Sequence, residues 1–350
     1  MTRITQGVLR SLVLVIACSS TLAHASYEEA FAAIQQKNYS KALPLLNAAA
    51  EKNDARALNA LGILYLQGLG VARDEKVAVE WWEKAANAGN LNAMNALASL
   101  YAKGTNDTAK NLSLARDWAW KAGLANDAGA QFNYFQMAIS NELSRSGAPG
   151  TVGRDKYMAL AKRPMAERGL DEKAYTMLSR SAEQGHVGAM LVSVGVLNDH
   201  VGPNNAQRSL ELIAKLPLTR MPPDFVKMVD ASRASNTYLK SLGQTYVTGT
   251  VFRDAFMTAL LSAYIKANVQ PTSCEAKNVR VLKTSVSRDL NQVAFLPVEA
   301  TLLKDVVLVQ GDWQETWVID VCGTPVDVPI EFQADGGGGA YFQTQQKLAR

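Results

Sequence analysis

The sequence predicts a mostly α-helical chain: an α-solenoid of helix-pair repeats followed by a small β-rich C-terminal domain. Alanine is the first sign. Of 350 residues 51 are Ala, with 26 between residues 28 and 135 and only three in the last 50. That skew fits close-packed helices at the front and a different architecture at the end. The second sign is self-similarity, since residues 57–65 (ALNALGILY) return 36 positions later as residues 93–101 (AMNALASLY). A fixed period of that size marks a repeat architecture. The third sign is a change of period beyond residue 271, where apolar and polar side chains alternate as in half-buried strands.

Residues 1–25 read as an export signal. Arg3 and Arg10 form a positive start, Leu12 to Ala17 an apolar core, and Ala23-His24-Ala25 a cleavage site that leaves Ser26 as the mature start. The apolar stretch is too short for a bilayer span, which takes about 20 residues. A second reading stands beside the first, because Val15-Ile16-Ala17-Cys18 resembles the lipobox of bacterial lipoproteins, with lipidation at Cys18. The expected location is periplasmic or secreted, with an outer-membrane lipoprotein as the alternative. Membrane contact is expected only through a lipid at Cys18. The net charge of +4 falls to +2 without Arg3 and Arg10, which argues against nucleic acid as a partner.

Residues 26–216 form the expected solenoid. Ala78, Trp81, Lys84 and Ala85 recur as Ala115, Trp118, Lys121 and Ala122, one residue being added in the second loop. Upstream, Lys41-Ala42, Ala49-Ala50 and Asn53 match the second half of the unit. Downstream, Lys173-Ala174, Arg180-Ser181-Ala182 and Gly185 form a degenerate copy. Each unit reads as two short amphipathic helices. Ala60, Gly62, Ala78 and Ala85 let the helices approach, while Leu61, Tyr65, Trp81 and Trp82 fill the space between. Gly68 and Gly70 end the first helix, and Asp74 caps the second. One such pair cannot bury its apolar face alone, so units must stack.

The run from Leu61 to Val71, followed by Asp74, Ala78, Trp81-Trp82, Lys84-Ala85-Ala86 and Gly89, resembles a Sel-1-like repeat. This is a tetratricopeptide-related family of helix pairs. The resemblance is full at 55–90. At 91–127 Thr105-Asn106-Asp107 replaces the glycine-rich loop, at 38–54 only the second helix matches, and from 128 to 217 the match is weak. There the stretch from Ser146 to Gly153 reads as a loop. The resemblance implies a scaffold that binds proteins or peptides, and it implies no chemistry.

Residues 217–270 continue as a helical capping or linker region. Pro222-Pro223-Asp224 opens a helix expected to run to about Leu242. Phe252 to Asn268 forms a second helix, whose Phe252, Phe256, Ala259, Leu260 and Ala263 fall at helical spacing. Residues 271–350 read as a β-rich, disulfide-containing domain. Glu315 to Val321 and Val326 to Phe332 make two strands around a Cys-Gly-Thr-Pro turn, with Pro329 marking an edge strand. Val279 to Leu282, Val306 to Val309 and Tyr341-Phe342 are further strand candidates. With Cys18 lost or lipidated, Cys274 and Cys322 remain and are expected to pair across a 47-residue loop. Such a bond is worth about 4 kcal/mol in the chain-entropy model. Two buried free thiols are the alternative.

The partner-binding residues follow from solenoid geometry, in which the first helix of each unit lines the concave face. Side chains not used in packing are Asn59, Ile63, Leu66 and Gln67, then Asn95, Ser99, Ala102 and Lys103, then Phe132, Gln136 and Ile139 if the stack continues. Asn59 and Asn95 are equivalent, and an amide donates and accepts, so a ladder of them suits an extended peptide backbone. An envelope protein or peptide is the expected partner. No catalytic residue, cofactor or metal site is expected. His186 and His200 lack a neighbouring nucleophile pattern, and Asp335-Gly336-Gly337-Gly338-Gly339 lacks the Lys-Ser/Thr of a phosphate loop. Two alternatives remain: a polysaccharide- or ligand-binding accessory protein using Trp313 and Trp317, and a cell-wall or β-lactam hydrolase using His186 or His200.

Overall fold

The computed structural model describes residues 27–146, 171–269, 279–336 and 338–344, which form helices followed by one antiparallel sheet. Contacts divide the chain into two compact units, 1–130 and 131–350.

Unit 1 is a row of short helices: α1 over residues 27–35, α2 (Tyr39–Ala50), α3 (Ala55–Gln67), α4 (Glu75–Asn87), α5 (Leu91–Lys103) and α6 (Leu112–Leu124). α7 (Ala128–Ser146) starts here and continues into unit 2. Helices α3 and α4 pack as one hairpin, α5 and α6 as the next, and α4 packs on α5 between them. The turns between hairpins share one chemistry. A residue at positive φ precedes a capping residue: Asn53 (φ 59°) before Asp54, Gly89 (φ 88°) before Asn90, and Asn126 (φ 68°) before Asp127. Gly and Asn enter the left-handed region most readily, and the Asx oxygen then accepts from the next helix's free N–H groups. Asp54 accepts from Arg56 and Ala57, Asn90 from Ala93 at 3.0 Å, and Asp127 from Ala130 at 2.6 Å.

Small residues set the packing within a hairpin. A Cβ on Gly62 would stand 2.5 Å from the Trp82 indole, so only a hydrogen fits there. One repeat later the equivalent positions hold Ala98 and Ala119, both buried, so two small side chains replace the glycine and the tryptophan of the first repeat.

Unit 2 continues with α8 (Glu172–Glu183), α9 (Val187–Asp199), α10 (Asn205–Ile213), a 3₁₀ turn at Leu218–Arg220, α11 (Pro223–Leu242) and α12 (Gly249–Ala267). The sheet follows in the order β1 (Val279–Phe295), β2 (Leu308–Val321), β3 (Thr324–Ala334) and β4 (Ala340–Thr344), every neighbour antiparallel. The α11 boundaries are those expected from Pro222-Pro223 and Leu242. β1 is much longer than the expected Val279 to Leu282, running to Phe295, and its register shifts repeatedly against β2. Of the expected Val306 to Val309 strand, only Leu308 onward is extended.

Between β2 and β3 the chain reverses through Cys322 (φ 51°) and Gly323 (φ 89°), the two-residue turn with both φ positive that matches strand twist. Pro329 lies on an inner strand, with β2 on one side and β4 on the other, rather than on an edge strand. Its position is tolerated because β3 pairs with β4 only from Ile330 onward among the described residues, so the missing N–H at 329 interrupts no described ladder there.

The core of unit 2 lies where α12 crosses the sheet. Phe252, Ala255, Ala259 and Ala263 meet Trp313, Trp317, Ile319, Ile330 and Phe332, all buried. The β1–β2 loop is fastened to α8. Thr176 Oγ1 accepts from the Glu299 N–H at 3.0 Å, Glu183 Oε1 from Leu302 at 2.7 Å, and Ser179 Oγ from Leu303 at 3.1 Å. Among the described residues no helix is long and apolar enough to cross a membrane, and no cluster of three or more His, Cys, Asp or Glu could hold a metal.

Candidate functional site

The candidate site is built on α3 and α5. Their starts are fixed by the capping turns, and Asn90 does more than cap. While its Oδ1 accepts from Ala93, its Nδ2 donates to the Ala55 carbonyl at 3.0 Å, tying the start of α5 to the start of α3. Beside that contact, at the start of α3, Asp54 is locked by Arg56, which also pairs with Glu28 at 2.9 Å and lies 4.2 Å over the Tyr27 ring. Burial pushes the Asp54 carboxyl up, but hydrogen bonds from the Arg56 side chain and from the Arg56 and Ala57 backbone outweigh it and hold the group below its ordinary value. The equivalent residues of α3 and α5 are therefore held at fixed positions.

On these helices Leu58, Leu61 and Leu64, and then Met94 and Leu97, face the core. The sequence-predicted residues fall outside that buried set. Ile63 (39% exposed), Gln67, Ser99 and Lys103 are exposed, while Asn59, Leu66, Asn95 and Ala102 are half-buried. Neither the Asn59 nor the Asn95 amide has a hydrogen-bond partner among the described residues. The face thus offers two half-buried amides with free donors and acceptors, an apolar contribution from Ile63 and Leu66, and one cation, Lys103. Behind it, Lys84 lies 4.4 Å over Trp81 and Lys121 3.9 Å over Trp118, so these tryptophans serve packing and cation–π contact within each hairpin.

In unit 2, Gln136 is exposed, but Phe132 is already engaged. Its ring sits 4.8 Å from the His186 ring and 6.4 Å from Phe135, and a Cβ on Gly188 would stand 2.8 Å from it. His186 follows Gly185 (φ 84°) and accepts from the Ala189 N–H through Nδ1 at 3.2 Å. It occupies the capping place that Asp54, Asn90 and Asp127 hold in unit 1. His200 is half-buried, its Nδ1 is 2.8 Å from the Val196 carbonyl, and its ring packs on Gly338. Burial pushes its imidazole pKa down, against the pull of that hydrogen bond and of Asp199 and Asp335. Both histidines named for the hydrolase alternative are thus engaged in structural contacts.

Trp313 and Trp317 are fully buried, so neither ring offers the face on which the ligand-binding alternative depends. Alternation along β2 turns both indoles inward and puts Glu315 between them. The Glu315 carboxylate accepts four hydrogen bonds, from Trp313 Nε1 (3.0 Å) and Tyr246 N (2.8 Å) on Oε1, and from Trp317 Nε1 (2.8 Å) and Thr245 Oγ1 (2.7 Å) on Oε2. Burial raises its pKa in spite of those donors. The Trp-x-Glu-x-Trp spacing on one strand face was the available signal for this cluster.

Cys322 is disulfide-bonded. Cys274, Cys18, the whole of residues 1–25 and the Ile139 side chain lie outside the described residues.

The Sel1 repeat family model matches the chain at residues 27–54, 55–90, 91–127 and 168–186. The first match includes α1 as well as the second helix legible in the sequence, and the last covers the degenerate copy ending at His186. No curated protein matches the chain. Among solved structures, a Sel1 repeat protein from Oxalobacter formigenes is 23% identical, with 54% of this chain and 83% of that one covered at a TM-score of 0.32. A protective antigen of uropathogenic Escherichia coli displaying an SLR fold is 20% identical, covering 61% and 53% at 0.28. An immunity protein of Pseudomonas aeruginosa is 17% identical, covering 61% and 82% at 0.24.

Proposed function

We propose that this chain, which carries Sel1 repeats at four positions, is an exported, non-catalytic scaffold of the bacterial envelope that binds a protein or peptide through the first helices of its repeats. The observation that carries the reading is the pair of equivalent, half-buried amides at Asn59 and Asn95, both without a partner among the described residues. A half-buried amide that lacks partners is answered by an extended peptide backbone, which supplies an acceptor and a donor at each residue. Ile63 and Leu66 add apolar contact, and Gln67, Ser99 and Lys103 a polar rim.

Export rests on residues 1–25, with cleavage before Ser26. A lipid on Cys18 is the alternative route to the same compartment, and fractionation of wild type against Cys18→Ala separates them. In an oxidising compartment Cys322 finds its disulfide partner in Cys274, the other cysteine of the mature chain.

Affinity capture from envelope extracts tests the binding face. Replacing Asn59 and Asn95 together with glutamate is expected to weaken capture of the principal partner at least tenfold while the helical circular dichroism is unchanged. Equal capture by the folded double variant removes this face from the function.

A further inference from the structure

We propose that α12 pairs two copies of this chain, packing antiparallel on its own counterpart about Leu261. In unit 2 the helix seats on the sheet through Phe252, Ala255, Ala259 and Ala263. Its opposite face carries Met257 (66% exposed), Leu261 (55%) and Ile265 (60%), which the fold leaves in solvent. A spacing of four sets the three side by side in one row along the helix. Exposed apolar residues scattered singly are ordinary, whereas a continuous row of large ones marks a contact surface.

The row reads the same from both ends. Met257 and Ile265 stand four positions either side of Leu261, and Asp254 and Asn268 stand seven positions either side. All five are exposed, and helical spacing puts them on one face. That is the self-complementarity a two-fold contact requires, since each patch must fit its own copy. In an antiparallel pair Leu261 meets Leu261, Met257 of each copy meets Ile265 of the other, and Asp254 meets Asn268. The ends match in chemistry as well. Neither the Asp254 carboxylate nor the Asn268 amide has a side-chain partner among the described residues, and an amide N–H₂ donates to a carboxylate. A parallel pair would set acid against acid.

A bilayer fits the row less well. Anionic lipid is held by lysines and arginines beside an apolar face. The only charge among these five residues is the Asp254 carboxylate, and the neighbouring Arg253 is already in contact within the chain. Three apolar side chains a copy are few beside the roughly 20–30 residues a side of a standard interface. The pair is therefore weak, with a dissociation constant expected between about 10 µM and 1 mM.

Sedimentation equilibrium of the mature chain from about 5 µM to 1 mM tests the pairing. The wild type is expected to pass from monomer to dimer. Leu261→Glu, at an exposed position, is expected to stay monomeric with unchanged helical circular dichroism. Asn268→Asp, which sets two carboxylates together at each end, is expected to weaken pairing at least threefold, and adding Asp254→Asn to restore it. A wild type still monomeric at about 1 mM overturns the proposal. So does pairing that persists in folded Leu261→Glu, or an Asn268→Asp chain that pairs as well as wild type or is not rescued by Asp254→Asn. Loss of helical signal in Leu261→Glu would show the row covered by the chain itself. Binding to phosphatidylglycerol vesicles by a chain that stays monomeric would assign the row to lipid. Either result overturns the pairing. No variant touches Asn59 or Asn95, so the repeat-face reading stands or falls separately.

Discussion

Glu315 is a carboxylate at a position where strand alternation calls for an apolar side chain, and its four donors keep it there. Because burial raises its folded-state pKa, the folded protein binds this proton more tightly than the unfolded chain does. Its titration therefore contributes most stability below the ordinary glutamate value of about 4.3, and the contribution is lost as pH rises through the raised value. His200 has the opposite sign. Its depressed pKa gives stability that is present above about 6.5 and lost on acidification. Comparing wild type with Glu315→Gln cancels the histidine. The variant is expected to be less stable by about 1–3 kcal/mol at neutral pH, since its amide N–H₂ must face two donors. The gap between the two proteins, read from urea unfolding, is expected to widen from pH 7 to pH 4. A gap that narrows towards acid would falsify the raised pKa.

At the scale of the element, the repeat is written twice with different side chains in the same joint. Gly62 meets Trp82 in the first hairpin, and the equivalent places in the second hold Ala98 and Ala119, both buried. Gly62→Ala gains up to about 1 kcal/mol of helix propensity, yet its methyl would overlap the indole, and overpacking of this kind costs about 1–3 kcal/mol. The expected net result is a loss of stability. In the Trp82→Ala background, which copies the second hairpin, the same change is expected to stabilise. A double-mutant cycle in urea measures this directly, and simple additivity of the two changes would contradict the joint. The elements themselves were legible because their signals are local. Caps lie two or three residues from the N–H groups they serve, and repeat periodicity needs only one helix pair to show itself. The cap role of His186 was legible too, through its place after Gly185, once the ladder Asp54, Asn90, Asp127 is seen. Pro329 marks an edge strand by its local chemistry, whereas β3 lies between β2 and β4, because the sequence of one strand does not show which strands pair with it.

At the scale of the whole molecule, the sheet is not self-sufficient. Phe252 stacks on Trp317 at 4.6 Å, Tyr246 and Thr245 donate to Glu315, and α8 holds the β1–β2 loop. Residues 271–350 alone would lose all of these partners and expose the two buried tryptophans. That fragment is expected to lack near-ultraviolet circular dichroism and to show solvent-exposed tryptophan fluorescence, whereas residues 171–350 retain both native signatures. A folded 271–350 fragment would show that the sheet needs neither α8 nor α12.

The sequence by itself determined the helix-pair repeat, its capping turns, the limits of α11 and the hairpin at Cys322-Gly323, because each depends on residues within a few positions of one another. Tertiary structure alone decided that Trp313 and Trp317 face inward around a carboxylate, that His200 packs on Gly338, and that α8 fastens a loop more than a hundred residues away. Those outcomes depend on which surfaces meet after the chain has folded back on itself. A period of two or of 3.6 says that a face is buried, and only the partner brought against it settles whether an aromatic, a histidine or an acid on that face is a site or a support.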